Sequence, residues 1–177
     1  METDRYSFMA HGALSQRLGH DFRFQVARRH LIPDRVVAVR DNEKGKARIL
    51  FIEMDCSTEP IWSSRTNRKS IARSVGQYRE LVGKGLYRTE FGTQMEALVL
   101  TVTTSRSRME RMVDEVEKAA TNGANNYMLF RTLELDASIS KPPQPMHELA
   151  AGKWRRAGLA AKRIMMDTQA NAPKGKH

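Results

Sequence analysis

The chain has 177 residues, 40% hydrophobic and 28% charged, which suits one compact domain with a sizeable core and argues against wholesale disorder. A single cysteine, Cys56, excludes an internal disulfide framework and a cysteine-rich zinc cluster, and no apolar run approaches the ~18 residues of a membrane-spanning helix. Lys and Arg number 30 against 20 Asp and Glu, a net charge of +10, and that excess favours a polyanionic partner, nucleic acid first.

The N-terminus carries Glu2 and Asp4 and lacks an apolar stretch, so it does not resemble a secretory signal, and a cytoplasmic protein is expected. Tyr6 to Leu18 reads as a weak amphipathic helix, with Phe8, Ala13 and Leu14 as its apolar positions. Phe22, Phe24 and Val26 alternate with polar residues, the period of a half-buried strand. Leu31 and Ile32 lead into Pro33-Asp34, and Val36 to Val39 forms a short apolar run. A turn is expected over Asp41 to Gly45. Ala47 to Met54, with ILFI at its centre, is apolar enough for a central strand covered on both faces.

Ser63 and Ser64 suit the cap of a helix starting at Arg65. Ile71, Val75, Tyr78 and Val82 give this helix an apolar stripe, and Arg65, Lys69 and Arg73 recur every four residues on another face. Gly83 and Gly85 end it. ALVLTVT, Ala97 to Thr103, is a strand. Ser105 to Ala120 is a helix with Met109, Met112, Val113 and Val116 facing inward, and Tyr127 to Phe130 is a further strand. Lys141 to Pro145 is a stiff break. Beyond it, Ala150, Trp154, Ala157, Ala161 and Ile164 mark a basic terminal helix, and the tail from Asn171 is expected to fray. The expected organisation is a core over 1–140, the break and basic C-terminal helix over 141–170, and a flexible tail over 171–177. A strand meander followed by helical crossovers makes the core a mixed α/β sheet flanked by helices.

Charge is unevenly placed. Lys141 to the C-terminus holds eight basic and two acidic residues, and Arg65 to Arg88 seven basic and one acidic. The acids gather elsewhere, at Asp34, Glu53, Asp55 and Glu59. A hairpin closed by the Asn42–Gly45 turn puts the start of the first strand, Asp34, beside the end of the second, where Glu53 and Asp55 share a face. Three carboxylates at one sheet edge repel unless neutralised. A hard divalent cation such as Mg²⁺ does this, with Asp34, Glu53 and Asp55 as ligands. The simpler alternative pairs these acids with Arg35, Arg40 or Arg48.

The same residues carry a resemblance. Pro33-Asp34 followed by ILFIEMD (Ile49 to Asp55) resembles the layout of the restriction-endonuclease-like fold, a Pro-Asp motif with Asp/Glu-x-Lys one strand later. HLIPDRVVAV, LFIEMDCSTEPI, a basic helix ending in QYRE, and FGTQMEALVLTVTTSRSRMERM together resemble the replication-relaxation family over about Ile32 to Arg131. In that pattern Glu53, Asp55, Thr58-Glu59-Pro60, Lys69 and Tyr78 fall in order. The resemblance implies a role in replication or mobilisation of plasmids and related elements. It departs from the family in having only ~30 residues ahead of Pro33, too few for the winged-helix segment usual there. It departs from the nuclease motif in having Asp55 where Lys is expected. On this reading Asp34 and Glu53 hold Mg²⁺, Asp55 is a third ligand or general base, Lys69 stabilises charge on the phosphate, and Gln77 lies near the metal.

The expected function is therefore DNA binding with a nuclease-like core and metal-dependent phosphodiester hydrolysis. The alternatives are a non-catalytic DNA-binding accessory on the same fold, or an RNA-associated basic protein. The residues expected against nucleic acid are Arg65, Arg68, Lys69, Arg73, Arg106, Lys153, Arg155, Arg156, Lys162 and Arg163. Ser105, Arg106 and Arg108 open a helix and could hold phosphate there, or simply cap it. DNA is the expected partner, with no membrane involved and a homodimer as one assembly. Lone His11 and His30 are expected to be structural, and Cys56 to face the core.

Overall fold

The computed structural model of the chain describes residues 6–26, 28–55, 60–61, 70–118, 126–132 and 152–164. In chain order its elements are β1 (Tyr6–Met9), α1 (His11–Leu18), β2 (Phe24–Val26), β3 (Arg29–Leu31), β4 (Arg35–Asp41), β5 (Ala47–Asp55), α2 (Ile71–Tyr78), a π-helical turn (Arg79–Gly83), α3 (Leu86–Phe91), β6 (Glu96–Thr103), α4 (Arg106–Lys118), β7 (Met128–Thr132), β8 (Lys153–Arg156) and β9 (Leu159–Arg163). Seven strands form one mixed sheet in the order β1-β4-β5-β6-β7-β8-β9, and β2 and β3 pair as a separate ribbon.

The β4–β5 hairpin is fixed by its turn. Asp41 is fully buried, and its Oδ1 accepts the backbone N–H groups of Glu43 and Lys44, both at 3.1 Å. Gly45 takes the positive φ of 66° that the return path needs. β5 then runs through the middle of the sheet, antiparallel to β4 and parallel to β6. Residues Arg48 to Phe51 are all buried, as its unbroken apolar run implied. The crossover from β5 to β6 carries α2, the π-turn and α3, and that from β6 to β7 carries α4. Phe51 presents an aromatic floor, with Phe24, Tyr78, Tyr87 and Phe91 at ring-centre distances of 5.7–6.3 Å. His20 stacks on Phe24 at 4.9 Å, and its Nδ1 accepts the Phe22 N–H. His11 Nδ1 accepts the Val36 N–H at 3.0 Å, a structural role like the one expected of it. Among the described residues no helix is long and apolar enough to cross a membrane.

Three expectations are corrected. Tyr6 to Met9 is not helical. It pairs antiparallel with β4, from Tyr6 opposite Asp41 to Met9 opposite Ala38, and the helix begins only at His11. Ladder hydrogen bonds along an available sheet edge outweigh an amphipathic pattern of three apolar positions. Phe22 is fully buried but stands outside the strand, with φ 57°. The basic C-terminal helix is also absent, for Lys153 to Arg163 is a β-hairpin. Trp154, Ala157 and Ile164 are buried as the apolar stripe suggested, yet Gly158 has φ 63° and sits in a two-residue connection, with Arg156 opposite Leu159. The spacing 154-157-161-164 fits a helix by coincidence; the glycine and the free edge of β7 decide for strands. The proposed helix start at Arg65 lies outside the described residues, and the described helix begins at Ile71.

Candidate functional site

The hairpin register sets Arg35 opposite Ile52, so Asp34 comes beside Glu53 at one end of the sheet, with Asp55 two residues beyond. Each carboxylate there has a different partner. Asp34 Oδ2 accepts the backbone N–H of Met54 at 2.7 Å. Glu53 Oε1 accepts the Tyr78 hydroxyl of α2 at 2.5 Å. Asp55, 8% exposed, is held by Arg108 of α4, itself 8% exposed: Nη2 donates to Oδ1 at 2.7 Å and Nε donates to Oδ2. Thr103, opposite Asp55 on β6, donates its hydroxyl to the same Oδ2 at 3.0 Å. Among the described residues, no three His, Cys, Asp or Glu side chains form a group that could hold a metal ion.

The electrostatics follow from this packing. Burial pushes the Tyr78 phenol well above the ordinary tyrosine value, and the Glu53 and Asp34 carboxylates push it further. At neutral pH the phenol therefore stays protonated and serves as a donor to Glu53, not as a nucleophile. Two of the cations weighed as partners for the acids, Arg35 and Arg48, make other contacts. Arg35 Nη1 donates to the Asp34 backbone carbonyl at 2.7 Å. Arg48, 6% exposed, pairs with Glu96 at 2.9 Å and donates to the Ile164 carbonyl. Gln77 Nε2 donates to the His30 carbonyl at 3.3 Å and so links α2 to β3. Ser105 caps α4, its Oγ accepting the Arg108 N–H at 3.3 Å.

Arg108 is the residue whose role the sequence reading missed. The signal was present: Arg108, Met112 and Val116 recur every four residues, which puts a cation on the buried stripe of α4, where it needs a carboxylate. Among the other expected residues, Cys56, Glu59, Ser63, Ser64, Arg65, Arg68 and Lys69 lie outside the described residues, as does the Lys162 side chain. Arg73 is half-buried on α2. Arg106, Lys153 and Arg155 are exposed and meet along a cleft of about 490 Å³ between α4, β7 and the β8–β9 ribbon, joined there by Arg131. Glu110 also lines this cleft, pairing with Arg155 at 3.1 Å.

Comparison with protein families now adds to this geometry. Residues 11–96 match the replication-relaxation family. The resemblance read from the sequence is borne out over that stretch, just under half of the chain, which runs from α1 to the first residue of β6. It starts earlier and ends earlier than the resemblance read from Ile32 to Arg131. The replication-relaxation match contains Asp34, Glu53, Asp55 and Tyr78, while Arg108 and the basic cleft lie beyond it. It points to a role in replication or mobilisation. Comparison with curated proteins and with solved structures gave no match.

Proposed function

We propose that the protein is a DNA-binding accessory in the replication or mobilisation of plasmids or related elements, and that it acts without hydrolysing DNA. The observation that carries this reading is the lock on Asp55. A buried guanidinium and a hydroxyl take up its oxygens where the nuclease motif calls for a free lysine. An acid neutralised in this way does not fit a third metal ligand or a general base. The replication-relaxation match and the net charge of +10 support DNA as the partner. The Asp34-led hairpin, followed by α2 and the parallel strand β6, supports a restriction-endonuclease-like core.

A second reading, Mg²⁺-assisted hydrolysis, draws on Asp34 and Glu53. One observation favours it: both carboxylates act on the Tyr78 hydroxyl and so gather at one strand end. The two readings separate in one experiment. Wild type and Glu53→Gln are titrated into labelled duplex DNA and are also incubated with supercoiled plasmid in millimolar Mg²⁺ or Mn²⁺. The expected result is duplex binding by both proteins with the plasmid left closed. Metal-dependent nicking that Glu53→Gln abolishes would establish the nuclease reading instead. Preference for RNA over duplex DNA would favour the RNA-associated alternative.

A further inference from the structure

We infer that the cleft between the start of α4, β7 and the β8–β9 ribbon is where the backbone of duplex DNA lies, an assignment that rests on the DNA-binding reading above. Among the described residues, four cations, Arg106, Arg131, Lys153 and Arg155, converge on it from three separate elements, against the single acid Glu110. Arg106 and Lys153 are exposed and make no ion pair among the described residues. The ribbon concentrates charge further. Lys153 stands directly opposite Arg163, and like charges in a cross-strand pair destabilise a sheet unless an anion lies between or above them. Ala161 lines the same cleft with a side chain too small to fill it, which leaves the ribbon face open.

The chemistry of the lining selects the ligand. Guanidinium and ammonium groups suit phosphate oxygens. Among the described residues the aromatic side chain in the cleft is Phe130, which is buried and offers no exposed ring for a base to stack on. Single-stranded nucleic acids are held largely by such stacking, so a duplex presenting its phosphates is the better fit. A row of cations also protects an edge strand from unwanted pairing, but that purpose does not require Arg106 of α4 to point the same way.

Duplex binding is measured by fluorescence anisotropy across a salt series for wild type, Arg106→Ala/Lys153→Ala, and a control of equal charge change away from the cleft, Arg17→Ala/Arg23→Ala. Each lost phosphate contact lowers the slope of log affinity against log salt by about 0.9, so the cleft variant should lose about 1.8 and the control close to none. A third variant, Glu110→Gln, removes the one acid and should tighten binding, a gain that misfolding cannot imitate. Equal slope losses in cleft and control variants, or a Glu110→Gln that binds no tighter, would overturn the assignment while leaving DNA binding in place. A wild type that ignores duplex DNA, or prefers a single strand or RNA, would overturn both.

Discussion

Arg108 on α4 grips Asp55 on β5 through two N–H donors across 53 residues of sequence. The pair is buried, so its parts are unequal in what their loss costs. Removing only the cation takes the Arg108 charge away from a carboxylate in a low-dielectric setting, whereas replacing both by apolar groups removes the desolvation cost together with the attraction. Arg108→Ala should therefore lower stability by about 3–5 kcal/mol in chemical denaturation. Asp55→Leu/Arg108→Met should recover most of that loss or exceed the wild type. A double variant as unstable as the single would mean that the pair is not buried as described.

Tyr78 and Tyr127 make a statement about alkaline stability. Burial raises both phenols, Tyr78 well above the ordinary value and Tyr127 to about 12. A folded-state pKa above the unfolded one means that the native protein keeps a proton which the unfolded chain gives up. Their contribution is present in full below about pH 10, the unfolded tyrosine value, and is lost as pH climbs through the folded values. The urea midpoint should fall steeply above about pH 10 in wild type, and less steeply in Tyr78→Phe.

Gly83, at the end of the π-turn, is a position where a side chain fits only if a neighbour moves. A Cβ there would stand 2.7 Å from the Tyr127 hydroxyl. Gly83→Ala should cost about 1–3 kcal/mol by forcing that ring aside. The Tyr127 hydroxyl is itself buried with no hydrogen-bond partner among the described residues, so Tyr127→Phe should be neutral or stabilising by up to about 1 kcal/mol. In the Tyr127→Phe background the Gly83→Ala penalty should shrink, and a thermodynamic cycle of the four proteins reads that coupling directly.

Gly158→Ala tests the conformation of the C-terminal segment by the sign of its effect. In a helix the change would stabilise by about 1 kcal/mol. At φ 63° in a hairpin connection it should destabilise by about the same amount, because a Cβ strains the left-handed region. A raised melting temperature would restore the helix expected from the apolar spacing.

Much of the sheet was legible because its signals are local. The ILFI run, the Asp41–Gly45 turn and ALVLTVT each name their own structure, and the hairpin that brings Asp34 beside Glu53 follows from them. The errors fell where a partner far along the chain decides. Tyr6 to Met9 became a strand because β4 offered an edge, and Trp154 took a strand because β7 did. At the acidic site, the gathering of carboxylates could be read from the strand order. The partner of Asp55 was harder to read: the four-residue stripe of α4 marks Arg108 as buried, but which carboxylate it meets is decided in space, 53 residues away in sequence. The basic cleft was visible as charge but not as a shape, because it needs α4 and the ribbon brought together.

Arg48 has a consequence for the order in which the chain can finish folding. Its guanidinium is buried in β5, yet the carbonyl it donates to belongs to Ile164, 116 residues later. During synthesis from the N-terminus, β4, β5 and the whole replication-relaxation stretch emerge long before that acceptor exists. Until then this cation lacks that acceptor, though Glu96 is already in reach, so the packing at that end of the sheet stays incomplete. The later-made ribbon thus closes strands made before it, and a ribosome-bound chain ending before Ile164 should be cleaved by protease more readily than the released protein.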